Sequence, residues 1–366
     1  MQKILKGYEN IHSALANVGA RRYMLVCDAA YPHLFISELL SPYVVFNHFG
    51  SNPLYEDVCR GVDLFNREHC DALVAVGGGS SIDVAKCIKL YCKMDARYNY
   101  LQQEAMDSGT PLIAVPTTAG TGSESTRFAV IYFEGMKQSV THDSIIPDYA
   151  ILEPRLLETL PDYQRRCTFF DALCQAIESL WSVNSTEESR HLSIQALQML
   201  NDNAASYLQQ HLANAAEQVM TGANLAGQAI NLAQTTAPHA FSYKLTSMYG
   251  LPHGHAVAIA MSEIWQYMLL HPEKCIDPRG GAHLQGVMNT IAETMHYDNV
   301  WDAMNHFQTL IREYGMTNPH SATRGEDIEV LTHSVNPVRL KNHPIELDEA
   351  TTREIYERIV HERIVG

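Results

Sequence analysis

Over roughly the first 155 residues, short apolar runs alternate with longer amphipathic stretches, and this alternation restricts the fold more than any other feature of the chain. The runs "YMLVCD", "YVVFNHFG", "ALVAVGGGSS", "PLIAVPTTAG" and "YAILEP" each end in Gly, Asn, Asp, Pro or Ser, as buried strands do. Buried strands separated by helix-length segments pair in parallel, because the connection has to cross over the sheet and its helix covers one face. The expectation is a mostly parallel, doubly wound α/β sheet with its ligand crevice at the carboxyl ends of the strands.

After "ILEPRLLETLP" the pattern changes. From "YQRRCTFFDALCQAIESLW" onward the periodicity is helical, with breaks at "SVNS", "YGLPHGH", "DPRGG" and "HSVNPVRLKNHP". The second half is expected to be an all-α domain, with the boundary near residue 156. A chain of 366 residues is too long for one ordinary core, which agrees with two domains.

A net charge of -15 argues against wrapping a nucleic-acid backbone. No apolar run is long enough to span a bilayer, and "MQKILKGYENIH" turns polar before a signal-peptide core can form. The expected setting is cytoplasmic, with no nucleic-acid or membrane partner. The eight cysteines form no CxxC pair and read as reduced, buried residues, with no disulfide framework and no structural zinc.

Two glycine turns carry the first chemical signal. In "VAVGGGSSIDVAKCIKL" a strand, the turn Gly77-Gly78-Gly79 and a helix start follow one another, so a phosphate could approach backbone N–H groups. The alternative is a plain tight turn with Asp83 as a helix cap. In "AVPTTAGTGSES" a second strand ends in Thr117, Thr118, Thr121 and Ser123, with Gly120 and Gly122 between them. Two phosphate-compatible turns at neighbouring strand ends favour a pyrophosphate, although neither is the GxGxxG fingerprint. Asp28 closes "YMLVCD", where a carboxylate could hold a ribose diol and repel a 2'-phosphate, or merely cap a turn.

The second signal lies in the helical half. "DALCQAIES" puts Asp171 and Gln175 one helical turn apart. "APHAFSYKLTSMYGLPHGHAVAIAM" carries His239 on one helical stretch, and His253 and His255 at the start of another beyond the "YGLPHG" break. Such helices can point N and O donors at one divalent metal. A lone histidine is more often packed or solvent-facing than a ligand, so spacing alone leaves the question open.

The motifs "GGGSSIDVAK", "PTTAGTGSE", "FDALCQAIES" and "HAFSYKLTSMYGLPHGHAVAI", in this order and spacing, resemble the iron-containing (group III) alcohol dehydrogenases, relatives of glycerol dehydrogenase and the dehydroquinate synthases. The resemblance implies a dinucleotide-binding α/β domain over residues 1–156, a helical metal- and substrate-binding domain over 157–366, and an active site in the cleft between them. It implies a divalent metal, iron or zinc, on Asp171, His239 and His253, with Gln175 where many members have a histidine. Cofactor contacts carry over to Asp28, Asn52, Gly78, Gly79, Ser80, Thr117, Thr118, Thr121 and Lys137, with NAD favoured over NADP because of Asp28. Tyr243 stands where many members have a histidine that relays a proton, and tyrosine is a poor relay near neutral pH.

Cations are the remaining clue to a substrate. Lys244 follows Tyr243 beside the metal histidines, Arg127 follows the threonine-rich turn, and "NPVRLKNHP" supplies Arg339, Lys341 and Asn342. Each could be ordinary solvated surface, but around a metal and a nicotinamide they suit a small anionic aldehyde. The branch that the chain resembles is that of the phosphonoacetaldehyde reductases, which make 2-hydroxyethylphosphonate; another acidic aldehyde such as succinic semialdehyde stays open. Hydride would pass from the nicotinamide to the carbonyl carbon, with water or Tyr243 giving the proton and Lys244 beside it. A dehydroquinate synthase-like lyase and a non-catalytic binding protein are the competing classes. The reading leaves room for a homodimer.

Overall fold

The computed structural model describes residues 2–362. The chain divides into two compact units, one made of Met1–Pro161 and His211–Gly227, the other of Asp162–Gln210 and Gln228–Gly366.

The first unit contains β1 (Lys3–Lys6), α1 (Asn10–Asn17), β2 (Tyr23–Cys27), β3 (Val44–Phe46), α2 (Tyr55–Arg67), β4 (Ala72–Gly77), α3 (Gly79–Tyr91), β5 (Leu112–Pro116), β6 (Phe128–Phe133), β7 (Met136–Thr141) and β8 (Tyr149–Leu152). Six strands form one sheet in the order β1-β8-β5-β4-β2-β3, and every neighbouring pair is parallel. The central strands β4 and β5 are buried at each position. They therefore read as unbroken apolar runs rather than as alternating ones. Their side chains nevertheless sort with period two: Leu73 and Ala75 join the core on one face, Val74 and Val76 the core on the other. Two cores on one sheet are what a doubly wound unit requires.

Strand β1 and the antiparallel pair β6–β7 are additions to the expected strand set. The strand β1, "KILK", is half polar and mostly exposed, since it is an edge strand that pairs only with β8. The hairpin β6–β7 closes through Glu134 and Gly135, both with positive φ, which matches the two-residue hairpin loops.

The order of strands locates the crevice. From β2 the chain moves outward to β3, then returns across β2 to β4, so the winding direction reverses between β2 and β4. Ligands of open parallel sheets sit outside the carboxyl ends of strands at such a reversal. Here those ends carry Asp28 and the glycine turn.

A buried polar network lies behind that turn. Lys86 is fully buried, and its ammonium donates to Ser123 Oγ at 3.1 Å, Thr126 Oγ1 at 3.0 Å and the Phe128 carbonyl at 2.7 Å. Asp83 is no helix cap: its carboxylate accepts from Ser123 Oγ at 2.6 Å and from the Val130 N–H at 2.9 Å. Glu124 accepts from Asn224 Nδ2 at 2.9 Å, which ties the segment 211–227 to the threonine-serine turn. In the same place Gly122 and Gly227 pack backbone to backbone, and a Cβ on Gly122 would stand 2.3 Å from the Gly227 Cα. Burial pushes the Lys86 ammonium down to about 8 against the pull of Asp83 and Glu124, and it pushes both carboxyls up.

The second unit is built from α4 (Asp162–Trp181), α5 (Glu187–Leu208), the end of α6 (Ala213–Ala233), α7 (Ala237–Tyr249), α8 (His253–Leu270), α9 (Gly281–Thr294), α10 (Val300–Glu313), α11 (Arg324–Ser334), α12 (Pro337–Leu340) and α13 (Glu349–Ile359). Its only strands among the described residues are the short parallel pair β9 (His320–Ser321) and β10 (His361–Glu362). Helix α4 is buried along nearly its whole length and packs against α5 and α8, while α7 packs against α8. A helix buried all round has its polar residues inside the unit, where they need partners. No helix among the described residues is long and apolar enough to cross a membrane.

The Lys86 network gives a stability prediction. Lys86→Met leaves Asp83 and Glu124 buried without their cation, so urea unfolding followed by circular dichroism should show a loss of about 3–5 kcal/mol. A loss below about 1 kcal/mol would mean that the cluster is solvated.

Candidate functional site

The break between α7 and α8 sets the geometry of the helical unit. Helix α7 ends at Gly250, which adopts the left-handed conformation (φ 66°) that glycine allows at a helix C-terminus, and Pro252 precedes the first residue of α8. His239, near the start of α7, and His253, at the start of α8, thus face each other with ring centroids 5.4 Å apart.

Helix α4 supplies the third group. Asp171 Oδ1 lies 3.3 Å from His239 Nε2 and 3.9 Å from His253 Nε2. One donor atom from each of Asp171, His239 and His253 falls within 4.8 Å of the others. This approach needs Gly254: a Cβ there would sit 1.9 Å from the Cys167 carbonyl oxygen and 3.0 Å from the Asp171 Cβ. Gln175, one turn along α4 and 3 % exposed, hydrogen-bonds the Asp171 carboxylate.

The electrostatics favour a cation. His239 Nδ1 donates to Glu178, and the other Glu178 oxygen accepts from the Thr236 N–H at 2.6 Å and the Thr236 hydroxyl at 2.8 Å. Trp181 Nε1 donates to that same hydroxyl at 3.0 Å. With the Nδ1 proton committed to Glu178, Nε2 turns its lone pair toward Asp171, and only a proton or a cation makes that contact favourable. Burial disfavours the imidazolium, yet Glu178 and Asp171 outweigh it and raise the His239 pKa to about 9. Burial also opposes the Asp171 charge, and His253, His239 and Gln175 overcome it, so its carboxyl sits below the usual range. A carboxylate, an amide and two imidazoles are a donor set that fits a divalent metal. The His253 side chain is 37 % exposed, against 4 % for Asp171, so the cluster is closed on one side and accessible on the other.

His255 has a structural place. Its Nδ1 is 2.7 Å from the Tyr163 hydroxyl and its Nε2 is 2.9 Å from the Thr317 carbonyl. Both nitrogens are used in joining α4 to the loop after α10.

In the α/β unit several of the expected cofactor residues follow the carboxyl ends of neighbouring strands. Asp28 follows β2, Gly78 and Gly79 follow β4, and Thr117 and Thr118 follow β5; these strands are parallel, so their ends point the same way. The strand ends approach one another closely. A Cβ on Gly77 would meet Asp28 Oδ2 at 2.9 Å, one on Gly79 would meet the Thr121 side chain at 2.9 Å, and one on Gly78 would stand 3.5 Å from Thr118. Helix α3 starts at Gly79 with no side-chain cap, which leaves its first N–H groups for a ligand. Ser80 Oγ donates to the Ser51 carbonyl at 2.6 Å, next to Asn52. Lys137 lies on β7, where its charge acts on Asp83. Asp28 also accepts from the Ala30 N–H at 2.9 Å, so it shapes its own turn as well as facing the glycines.

The cations are distributed. Arg127 belongs to the α/β unit and faces Asp143 at 3.3 Å. Tyr243 and Lys244 lie on α7, and Arg339 on α12 places its guanidinium 5.7 Å from the Tyr243 ring centroid. Lys341 is exposed. Three further residues shape the cluster without having been singled out as candidates: Glu178, Thr236 and Gly254. Glu178 could have been found, since Asp171, Gln175 and Glu178 follow the i, i+4, i+7 spacing of one helix face.

The family model for iron-containing alcohol dehydrogenase matches residues 3–154, and that for the C-terminal part of the Fe-containing alcohol dehydrogenase family matches residues 167–360. The phosphonoacetaldehyde reductase of Streptomyces viridochromogenes is 32% identical over 312 residues, 80% of this chain and 76% of that one. The NAD-dependent methanol dehydrogenase of Bacillus methanolicus is 31% identical over 279 residues, 72% of each chain. The crystal structure of sulfoacetaldehyde reductase from Bifidobacterium kashiwanohense in complex with NAD+ superposes with a TM-score of 0.87 at 25% identity, over 98% of this chain and 96% of that one.

The Gly254 contact is testable without any ligand. Gly254→Ala forces a methyl group into the Cys167 carbonyl, so the metal-free protein should lose about 1–3 kcal/mol in denaturant unfolding. Unchanged stability would mean that α8 does not press Gly254 against the Cys167 carbonyl of α4.

Proposed function

We propose, on the premise that this chain belongs to the iron-containing alcohol dehydrogenase family, that it reduces a short aldehyde bearing an anionic group, first of all phosphonoacetaldehyde to 2-hydroxyethylphosphonate, using NADH. That it is an oxidoreductase of the alcohol dehydrogenase kind follows from the family; the substrate is the new element. The observation that carries the reading is the convergence of Asp171, His239 and His253 in the helical unit.

Asp171, Gln175, His239 and His253 would hold a divalent metal, iron or zinc. When bound, such an ion supplies Lewis-acid polarisation of a carbonyl oxygen. Glu178 keeps the proton on His239 Nδ1 and so leaves Nε2 free to act as a donor. The partly open His253 side is where a carbonyl could approach.

In the α/β unit, Gly78, Gly79 and Ser80 would cradle a pyrophosphate together with Thr117, Thr118 and Thr121, with Asn52 and Lys137 alongside. Asp28 would hold the ribose diol and disfavour a 2'-phosphate, hence NADH over NADPH. The NAD-dependent methanol dehydrogenase and the NAD+ complex of the sulfoacetaldehyde reductase support the choice of cofactor, whose nicotinamide supplies the hydride.

Support for the substrate comes from two relatives named for short aldehydes that end in an anionic oxyacid group, a phosphonate in one and a sulfonate in the other. The presence of Lys244 and Arg339 in the same unit as the metal cluster agrees with such a substrate.

The test is an absorbance assay of NADH with a panel of anionic and neutral aldehydes. Stoichiometric oxidation of NADH by phosphonoacetaldehyde, faster than with propanal, is expected; turnover without net NADH loss would indicate a lyase. His253→Ala should abolish reduction while NADH binding, read by fluorescence, stays largely intact, because the proposed cofactor residues all belong to the other unit. A His253→Ala protein that is active without metal would contradict the metal assignment.

A further inference from the structure

Three side chains of the helical unit lie together. The Tyr243 ring lies at 14° to the His253 imidazole with centroids 6.0 Å apart, and the Arg339 guanidinium lies 5.7 Å from the Tyr243 centroid. Both spacings are within the range over which rings and cations attract. Tyr243 thus neighbours both a proposed metal ligand and a cation.

Arg339 is not carried on a free loop. Asn336 caps the start of α12, its Oδ1 accepting from the Val338 N–H at 2.9 Å. Beyond α12 the chain is anchored: the Asn342 carbonyl accepts from the Val183 N–H at 2.9 Å, and Asn342 Nδ2 donates to Gln234 Oε1 at 2.8 Å. His343 is 0% exposed and packs edge-on against Trp181 with centroids 6.4 Å apart. Among the described residues Arg339 is engaged by the Tyr243 ring and by no carboxylate. Arg127, by contrast, faces Asp143. Lys244, the next residue on α7, projects about 100° further round the helix than Tyr243.

We infer that Arg339 is the specificity-determining residue that reads the anionic end of the aldehyde, and that Tyr243 is a positioning residue which holds Arg339 beside His253 through the face of its ring. This deepens the function proposed above and rests on it. A guanidinium held over an aromatic ring still has N–H donors to offer, and their fork matches two oxygens of a phosphonate or sulfonate. Tyr243 then acts through its ring and not through its hydroxyl, which separates this role from proton donation.

The experiment compares kcat/KM for phosphonoacetaldehyde and for propanal, with metal content measured for each protein. The quantity read is the ratio between the two aldehydes, because a general structural defect lowers both. Arg339→Met should reduce the ratio by roughly thirtyfold or more, with Arg339→Lys in between. Tyr243→Leu should reduce it by about three- to thirtyfold, whereas Tyr243→Phe, which keeps the ring, should hold the ratio within about threefold. If Tyr243→Leu does not fold, Tyr243→Phe and the two Arg339 variants decide the matter. A wild type that prefers phosphonoacetaldehyde, combined with an unchanged ratio in Arg339→Met, overturns the inference and leaves the proposed substrate standing. A wild type with no preference removes the substrate proposal and this inference together. Loss of turnover on both aldehydes in Tyr243→Phe would assign the role to the hydroxyl and overturn the inference.

Discussion

Asp171 is 3 % exposed, and yet its carboxyl is held in the charged form, because two imidazoles and the Gln175 amide face it. Removing a carboxylate from water is costly unless cations or donors replace the solvent. That requirement organises the unit around it. Helix α7 has to bring His239, α8 has to bring His253, and α8 can come near enough only because Gly254 has no side chain where the Cys167 carbonyl passes. Glu178 adds a second buried carboxylate behind His239, so the cluster as a whole holds more negative than positive charge unless a proton or a metal joins it. A site of this kind selects a cation by electrostatics and a metal by donor type.

The α/β unit solves a different problem. Its crevice at the strand reversal must present backbone N–H groups to a ligand, so the turns there carry glycine and small hydroxyl residues and supply little packing of their own. The buried Lys86 network stabilises them from behind: Ser123 and Thr126 in the second turn bond the ammonium, while Asp83 in the helix after the first turn bonds Ser123. The residues that would touch a cofactor are thus held by residues that would not.

Much of this was legible in the sequence, and the exceptions have physical causes. The strands β2, β4, β5 and β8 announce themselves because burial on both faces makes them apolar throughout. Asp171, Gln175, His239 and His253 stood out because their residue types suit a metal and a helix break lies between the histidines. Glu178 was hidden because a carboxylate on a helix usually marks a solvated face, and only the fold shows it to be fully buried against His239. Gly254 was hidden because its contribution is the absence of a side chain at a contact with a residue distant in the chain. Lys86 was not singled out, because a lysine on a helix usually marks a solvated face, and it is 0 % exposed. The grouping of 211–227 with the sheet depends on Asn224 and Gly227 meeting Glu124 and Gly122, a long-range pairing that helical periodicity does not encode.

The central claim is that the helical unit holds one divalent metal organised by Asp171. Calorimetric titration of metal-stripped protein with zinc, and anaerobically with ferrous iron, measures this directly. The account predicts a single tight site per chain that disappears in Asp171→Ala. Absence of binding, or a site of equal affinity in Asp171→Ala, would contradict it.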